Sequence, residues 1–548
     1  MKKIFTLVLC GVICLSLLIS GCVQETPNGT TAPPNTSGTI QEDTSIVTAP
    51  GEFPVTKEKT TMKFMAPQVP QIEDILTNQF TVEYEEMTNV KIEWEMVPNA
   101  NKNEMKKLSL SSGDYPDVYF AMGVTQAEEM TYGPRGIFVP LNDLIDKHSM
   151  YVKQLMEDWP SIAEQITLPN GNIYSLPRAR DTYQAQFSQR YWMNTKWLKE
   201  LKLEIPTTTE GLYQVLKAFK ENDPNGNNKM DEIPLIIANP ARASYITNAF
   251  VYDNTSNRLV IDGNDKVSVA YTTDGWKKAL EYMQRLYKEG LMDQASFTYT
   301  NPQIKTLVEN ANAELVGGVT GHYSSTWADN LGERIKSFEV IAPVKGPDGV
   351  QYAYWAPYMH DTGTFTITKA MQNPEIAVRW VDWLFSFEGT NRSRHGIEDV
   401  HWEVPPAGTK SYTGKEATWR LLELRESVSN YCWNGMIFPH NMCIHGDQGD
   451  SPDGGESMHY RVALEYAKYA PEKVYPPLYI PEDDASEYNK LGVDLRGLVN
   501  ETMVRLVTSN VDISSEWDKY LSDLENIGLK RYLELSQKYY DNFLEITK

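Results

Sequence analysis

At 548 residues the chain is long enough for several domains. Its formal charge of −22 argues against nucleic acid, whose phosphates would be repelled. Its 13 Trp and 31 Tyr argue against a disordered chain, which is poor in aromatics.

The chain starts with Met1-Lys-Lys, a nearly unbroken apolar run from Ile4 to Ile19, then Leu18-Ile-Ser-Gly-Cys22. A basic start, a short apolar run and small residues before a cut describe a secretory leader. The run is too short and wrongly flanked for a mature membrane span. Its ending resembles a bacterial lipobox, in which Cys22 receives lipid and becomes the new N-terminus. The expectation is a leader at 1–21 and, at 22–56, a lipidated Cys22 with a Thr/Pro/Gly/Ser/Asn-rich tether that cannot bury enough surface to fold. This places the body outside a cell membrane, held by the lipid alone. Cys432 and Cys443 then remain. An extracytoplasmic setting favours pairing, with two separately buried thiols as the alternative.

Thr61–Phe64 and the alternating Val90, Ile92, Trp94 and Met96 read as strands. Between them Ile72, Ile75, Leu76, Phe80 and Tyr84 have helical spacing, as do residues from Met105 to Leu110, and Asp117–Phe120 reads as a further strand. Strands alternating with helices imply a mainly parallel sheet. Ligands of such sheets lie at the carboxyl ends of strands, so Ala66–Pro70 and Ala121–Thr125 are candidate rims. Gly171–Arg178 reads as a turn and an extended crossing. Thr208 is placed to cap a helix whose apolar face is Leu212, Val215, Leu216 and Phe219. Trp380 and Trp383 share helical spacing with Ile376, Val381 and Leu384, after an Asn373-Pro374 start, and are assigned to a core. From Trp517 onward two helices are expected, interrupted at Ile527-Gly528.

Directly after the Thr208 helix comes Asp223-Pro-Asn-Gly-Asn-Asn-Lys-Met-Asp-Glu-Ile-Pro234. Asp223, Asn225, Asn227 and Asp231 are spaced two, two and four apart, with Glu232 next. Lys229 stands where a backbone carbonyl would serve. Such oxygen donors suit Ca²⁺, which takes six to eight of them. The opening half follows the EF-hand pattern. The second half departs from it, with Pro234 at the twelfth position and the glycine, Gly226, at the fourth. The same residue types also make turns.

The ordered set of lipobox, Asp114-Tyr-Pro-Asp117, Gly171–Pro177, Trp192–Leu198 and Pro206–Glu210 resembles the extracellular solute-binding proteins of bacterial ABC importers, in the large sugar-binding group. Asn373–Leu384 with Glu388-Gly389, Gly396-Ile-Glu398 and His401-Trp-Glu403 resemble a lipoprotein branch of that group. The resemblance covers most of the chain. It implies an α/β, two-lobed periplasmic-binding-protein-like fold (type II) with lobes joined by hinge crossings. Crossings are expected near Ile173–Arg180, Ala313–Val319 and Thr364–Thr368. That puts 57–178 and 313–364 in the first lobe, 179–312 and 365–548 in the second. The acidic loop is similar to a structural calcium site in alginate-binding members, which implies Asp223, Asn225, Asn227, Lys229, Asp231 and Glu232 as ligands. The implied function is non-catalytic capture of a carbohydrate, an oligosaccharide, by a monomer that delivers it to the permease subunits of an ABC importer. A secreted polysaccharide-acting enzyme and a sensing or adhesion lipoprotein are the alternatives.

Sugars present apolar faces and hydroxyl edges, so aromatics outside helical periodicity are the candidates for their cleft. Tyr323 and Trp327 lie in His322–Trp327, Trp355 and Tyr358 in an irregular segment, and Trp402 and Trp433 in loop-like surroundings. Arg178, Arg180 and Arg190 flank the first crossing. They suit either a uronate carboxylate or structural ion pairs, and Arg190 joins the ligand candidates.

Overall fold

The computed structural model describes residues 46–546, apart from 181–182, 256, 330–331, 359–360, 424–427, 444–448, 450–453 and 479. The leader, Cys22 and most of the tether lie outside the described residues. Among the described residues no helix is long and apolar enough to cross a membrane.

The strands in chain order are β1 (Thr60–Gln68), β2 (Val90–Pro98), β3 (Val118–Phe120), β4 (Ser175–Ala179), β5 (Arg190–Asn194), β6 (Ile236–Ile237), β7 (Leu259–Ile261), β8 (Val267–Val269), β9 (Gly318–Gly321), β10 (Phe338–Ile341), β11 (Asp361–Ile367), β12 (Trp402–Glu403), β13 (Arg420–Leu421) and β14 (His440–Asn441). Two sheets organise them. The first has the order β14-β4-β11-β3-β1-β2, the second β10-β5-β9-β6; β7-β8 and β12-β13 are small hairpin pairs.

Strand alternation gives each sheet two apolar faces. Phe64 and Phe120 point into one core with Phe365 and Trp380, whereas Met65 and Tyr119 point into the opposite one with Phe138. In the second sheet Tyr191 and Met193 face a core built with Leu212, Leu216, Trp276 and the C-terminal helices. Trp192 faces the other core, with Val319 and Trp327. Each lobe is therefore a sheet covered on both sides, but the pairing corrects the expectation of a mainly parallel sheet: β11 runs antiparallel to both its neighbours in the first sheet, and β5 runs antiparallel to β9 and β10 in the second.

Several sequence expectations meet the structure directly. Thr208 accepts the Gly211 N–H at 3.0 Å and starts the helix Thr209–Glu221. Trp380 is buried, and Gly528, at φ 114, separates Ile513–Ile527 from Leu529–Ile546. The helix read through Ile72–Tyr84 begins only at Gln79, where Asn78 accepts the Phe80 N–H at 3.1 Å.

The lobe boundaries need correction. Residues 313–321 do not return to the first lobe, because β9 pairs with β5 and β6 in the second sheet. Nor does the chain leave at Thr364–Thr368, because β11 is central in the first sheet, between β3 and β4. The helices Pro374–Asp382 and Phe387–His395 follow it, and Ile376, Trp380, Leu384, Trp433 and Phe438 belong to the first-lobe core. First-lobe elements thus lie within 46–179 and 361–443 and second-lobe elements within 190–358 and 455–546, and the chain passes between the lobes after 179, 358 and 443. Strand pairing is non-local, so apolar periodicity alone could not assign these segments.

The expected pairing of Cys432 and Cys443 is also absent. Both are buried and not joined in a disulfide, Cys432 with its carbonyl held by the Asn78 side chain at 3.0 Å and Cys443 just after β14.

Candidate functional site

The carboxyl ends of the parallel strands in each sheet face the crossings. In the first lobe, β3 runs into Ala121–Thr125, where Ala121 and Gly123 have φ of 57° and 62°. Gly363 of β11 lies so close that an added Cβ would sit 1.8 Å from the Val124 carbonyl oxygen, so only glycine fits there. At the end of β4, Arg178 lies opposite Asp361 and donates to its Oδ2 through Nε at 2.8 Å and through Nη2. This pair ties together the strands that carry the first and second crossings. Arg180 reaches the same carboxylate only at 3.8 Å, and its Nε is buried with no hydrogen-bond partner.

In the second lobe β6 and β9 are parallel, and they end at Ala238–Arg242 and His322–Tyr323. The Tyr323 ring lies 3.9 Å from that of His322 and edge-on to His459 at 4.4 Å, so it is fixed before any ligand arrives. Burial and nearby arginines depress both imidazoles, His322 to about 3 and His459 to about 2. Both rings are therefore neutral at physiological pH, and His322 Nδ1 is buried without a hydrogen-bond partner. Burial pushes the Tyr323 hydroxyl up to about 12, keeping it protonated. Arg190 holds this group from beneath. It donates to the Phe187 and Gln184 carbonyls at 2.7 and 2.5 Å, and its Nη1 meets His459 Nδ1 at 2.7 Å.

The predicted binding aromatics separate into three groups. Tyr323 sits at the crossings, partly exposed. Trp355 and Tyr358 lie together at a different place, a hollow of about 300 Å³ shared with Lys473, Tyr540 and Phe543. Trp355 donates to Gln186 Oε1 at 3.0 Å, while Tyr358 is 39% exposed. Trp327, Trp402 and Trp433 are 0%, 3% and 1% exposed and offer no face to a ligand. Trp433 donates to Thr81 Oγ1 at 2.9 Å within the first-lobe core, and Trp402 donates to the Gly396 carbonyl at 3.0 Å. Trp327 packs on Trp192 and Phe338. Their irregular sequence context reflects tight loops, not exposure. Arg190 likewise is wholly buried scaffolding. A further hollow of about 270 Å³, lined by Ile72, Trp94, Met96 and Met436, lies at the β2 edge and lacks comparable convergent cationic and imidazole groups.

Sequence reasoning missed Arg242 altogether. Its signal is Asn239-Pro-Ala-Arg242 directly after an apolar strand, a turn in which Asn239 Oδ1 accepts the Arg242 N–H at 3.2 Å.

The acidic loop closes on itself after the helix Thr209–Glu221. Asp223 accepts the N–H groups of Asn227 and Asn228 at 3.1 and 2.9 Å, and Asn227 Oδ1 accepts the Lys229 N–H at 2.8 Å. The side-chain amides of Asn225 and Asn227 both donate to Asp231 Oδ1 at 3.0 Å. Four of the predicted ligands thus converge. Beside them both carboxylate oxygens of Glu232 are buried without a hydrogen-bond partner, and burial raises its pKa. Among the described residues the acids alone form no three-membered metal cluster, so amide and carbonyl oxygens are needed to complete a shell.

The pattern of the bacterial extracellular solute-binding protein family matches residues 66–390. The chain belongs to that family. This solute-binding protein is 26% identical to the fructooligosaccharide ABC transporter substrate-binding protein FusA of Streptococcus pneumoniae serotype 4, over 90% of this chain and 92% of the relative. It is 22% identical to the polygalacturonan/rhamnogalacturonan-binding protein YtcQ of Bacillus subtilis, over 82% and 86% of the two chains. The fold agrees. The structure of S. pneumoniae FusA with kestose superposes with a TM-score of 0.77 at 24% identity, covering 89% of this chain and all of that one. An EF-hand mutant of FusA gives 0.76 at 24% identity, over 89% and 100% of the chains. The alginate-binding protein AlgQ2 without calcium gives 0.65 at 23%, over 89% and 99%. The two-lobed solute-binding fold follows from these superpositions and from the sheets above.

Proposed function

We propose that this solute-binding protein captures an oligosaccharide between its lobes and hands it unchanged to the permease subunits of an ABC importer. The observation that carries the reading is the meeting of both sheets' carboxyl ends at the crossings. There a fixed aromatic, Tyr323, stands beside buried polar atoms of His322 and Arg180 that lack protein partners. An aromatic face with convergent polar groups is what a sugar ring requires. Family membership and the saccharide named for FusA support the same reading. Tyr323 would stack on a ring face, while His322 and the arginines would take hydroxyl or acid edges. Trp355 and Tyr358 would serve an extension of the chain beyond the crossings. A monomer anchored through lipid on Cys22 would present this cleft outside the membrane.

A Ca²⁺ ion fits the second-lobe loop. The fit rests on Glu232, a buried carboxylate with no donor, beside Asp223, Asn225, Asn227 and Asp231. An unpaired buried carboxylate is costly, and a cation removes that cost. Asp223, Asn225, Asn227, Asp231 and Glu232 with the Lys229 carbonyl would hold the ion, once the Asn amides turn their oxygens inward. The related structures of an EF-hand mutant of FusA and of AlgQ2 without calcium support it. The ion supplies charge neutralisation and stiffness to the loop and no chemistry to the ligand.

The test is an oligosaccharide array followed by product analysis. Binding to a set of oligosaccharides with every bound sugar recovered intact is the expected result. Turnover of a bound sugar would replace capture with catalysis.

A further inference from the structure

Arg242 is a half-buried cation with no counter-ion among the described residues. The turn capped by Asn239 aims it over the end of β9, where an added Cβ on Gly321 would lie 3.6 Å from its Nη1. Nη1 is buried with no hydrogen-bond partner, and no carboxylate pairs with the side chain among the described residues. Burial alone lowers its pKa, yet a guanidinium stays charged in proteins. A charged group with one donor buried and unpaired is unfavourable, and an anion delivered to that donor removes the cost.

Its surroundings have the same sign. Arg180 and Arg190 act together with Arg242 on His322, and Arg180 and Arg394 act on Tyr323. With Arg178 that makes five arginines. Among the described residues the acids facing them are Asp361, already engaged by Arg178, and Glu456, which accepts from Gln184 at 2.7 Å. A local cationic excess inside a chain of net charge −22 is a selective feature, since the rest of the surface repels anions.

From Arg242 and Arg180 we infer that the captured saccharide carries carboxylates, as a uronic acid oligosaccharide does, and that these two guanidinium groups receive one of them. The inference rests on the carbohydrate reading above and narrows it to acidic sugars. Neutral hydroxyls can accept from arginine, but they leave the charge uncompensated. A carboxylate matches the guanidinium fork and neutralises it.

The test uses pairs of oligouronides of equal length, one as the free acid and one as its methyl ester, titrated into the intact protein. The acid of at least one pair is expected to bind roughly tenfold or more tighter than its ester, in line with a charge-assisted pair, and the difference should shrink at high salt. Arg242→Gln should erase that preference, the acid falling to the affinity of its ester. Arg180→Gln, at the first crossing, provides an independent variant should the first fold poorly. Esters or neutral sugars that bind as tightly as acids, with no effect of either variant, overturn this inference alone. Failure of every saccharide, acid, ester or neutral, overturns the carbohydrate reading and this inference with it.

Discussion

Asp382→Ala should destabilise the first lobe by about 3–5 kcal/mol, the range for removing one partner from a buried charged network. Asp382 ends the helix Pro374–Asp382 and is fully buried. Its Oδ1 accepts the Ser149 hydroxyl and the N–H groups of Tyr151 and Val152, both at 3.0 Å, and its Oδ2 accepts the Met150 N–H at 2.9 Å. One carboxylate therefore caps the helix Tyr151–Asp158 from a segment 230 residues away, and it joins the two sequence-distant parts of the first lobe. Desolvation raises its pKa and the bonds from 149–152 oppose that rise, so those four donors are what keep a buried anion tolerable. Alanine leaves them in an apolar setting with no acceptor. Asp382→Asn retains one acceptor oxygen and should cost less. Denaturant melts read by first-lobe tryptophan fluorescence give the difference, and a loss under about 1 kcal/mol, the size of an ordinary hydrogen bond, would contradict the capping role.

Chelation is the second large effect. If Ca²⁺ is present at 100–1,000 times its dissociation constant, its removal lowers stability by about 2.7–4.1 kcal/mol. The loop ends in Ile233, whose N–H and C=O bond Leu315 and Gly317 at 2.7 and 2.9 Å and lead straight into β6. Loosening it should therefore melt the second lobe earlier while leaving Tyr323 and the first-lobe rim in place. A chelated protein should show a lower Tm, restored by added Ca²⁺ and not by Na⁺, and it should still bind saccharide. A Tm unchanged after prolonged chelation would remove the ion from the account. Acid should weaken the site as well. The Glu232 pKa is raised by burial, so protonation begins at a higher pH than for an exposed carboxylate and competes with the cation.

Local signals in the sequence were legible where chemistry is local. The alternation in β2, the Thr208 cap, the Gly528 break and the convergence of Asp223, Asn225, Asn227 and Asp231 each follow from a few neighbouring residues. Lobe membership was not legible past residue 312, because β9 and β11 owe their places to strands far away in the chain. The site was half legible. Tyr323 stood out as an aromatic in a loop, but the same criterion selected Trp327, Trp402 and Trp433, whose loops fold back into the cores. Arg242 carries no sequence mark beyond a turn, since its significance comes from a missing partner, and only three-dimensional packing reveals that.

The central claim is that a saccharide is held between the lobes at the crossings, touching both. Contacts with both lobes favour a closed arrangement, and only such differential contacts can drive closure. Small-angle X-ray scattering of the intact protein with and without a saturating oligosaccharide measures this directly. The account predicts a smaller radius of gyration with the bound sugar, and the loss of both binding and compaction in Tyr323→Ala. Saturating saccharide with an unchanged scattering curve would contradict it.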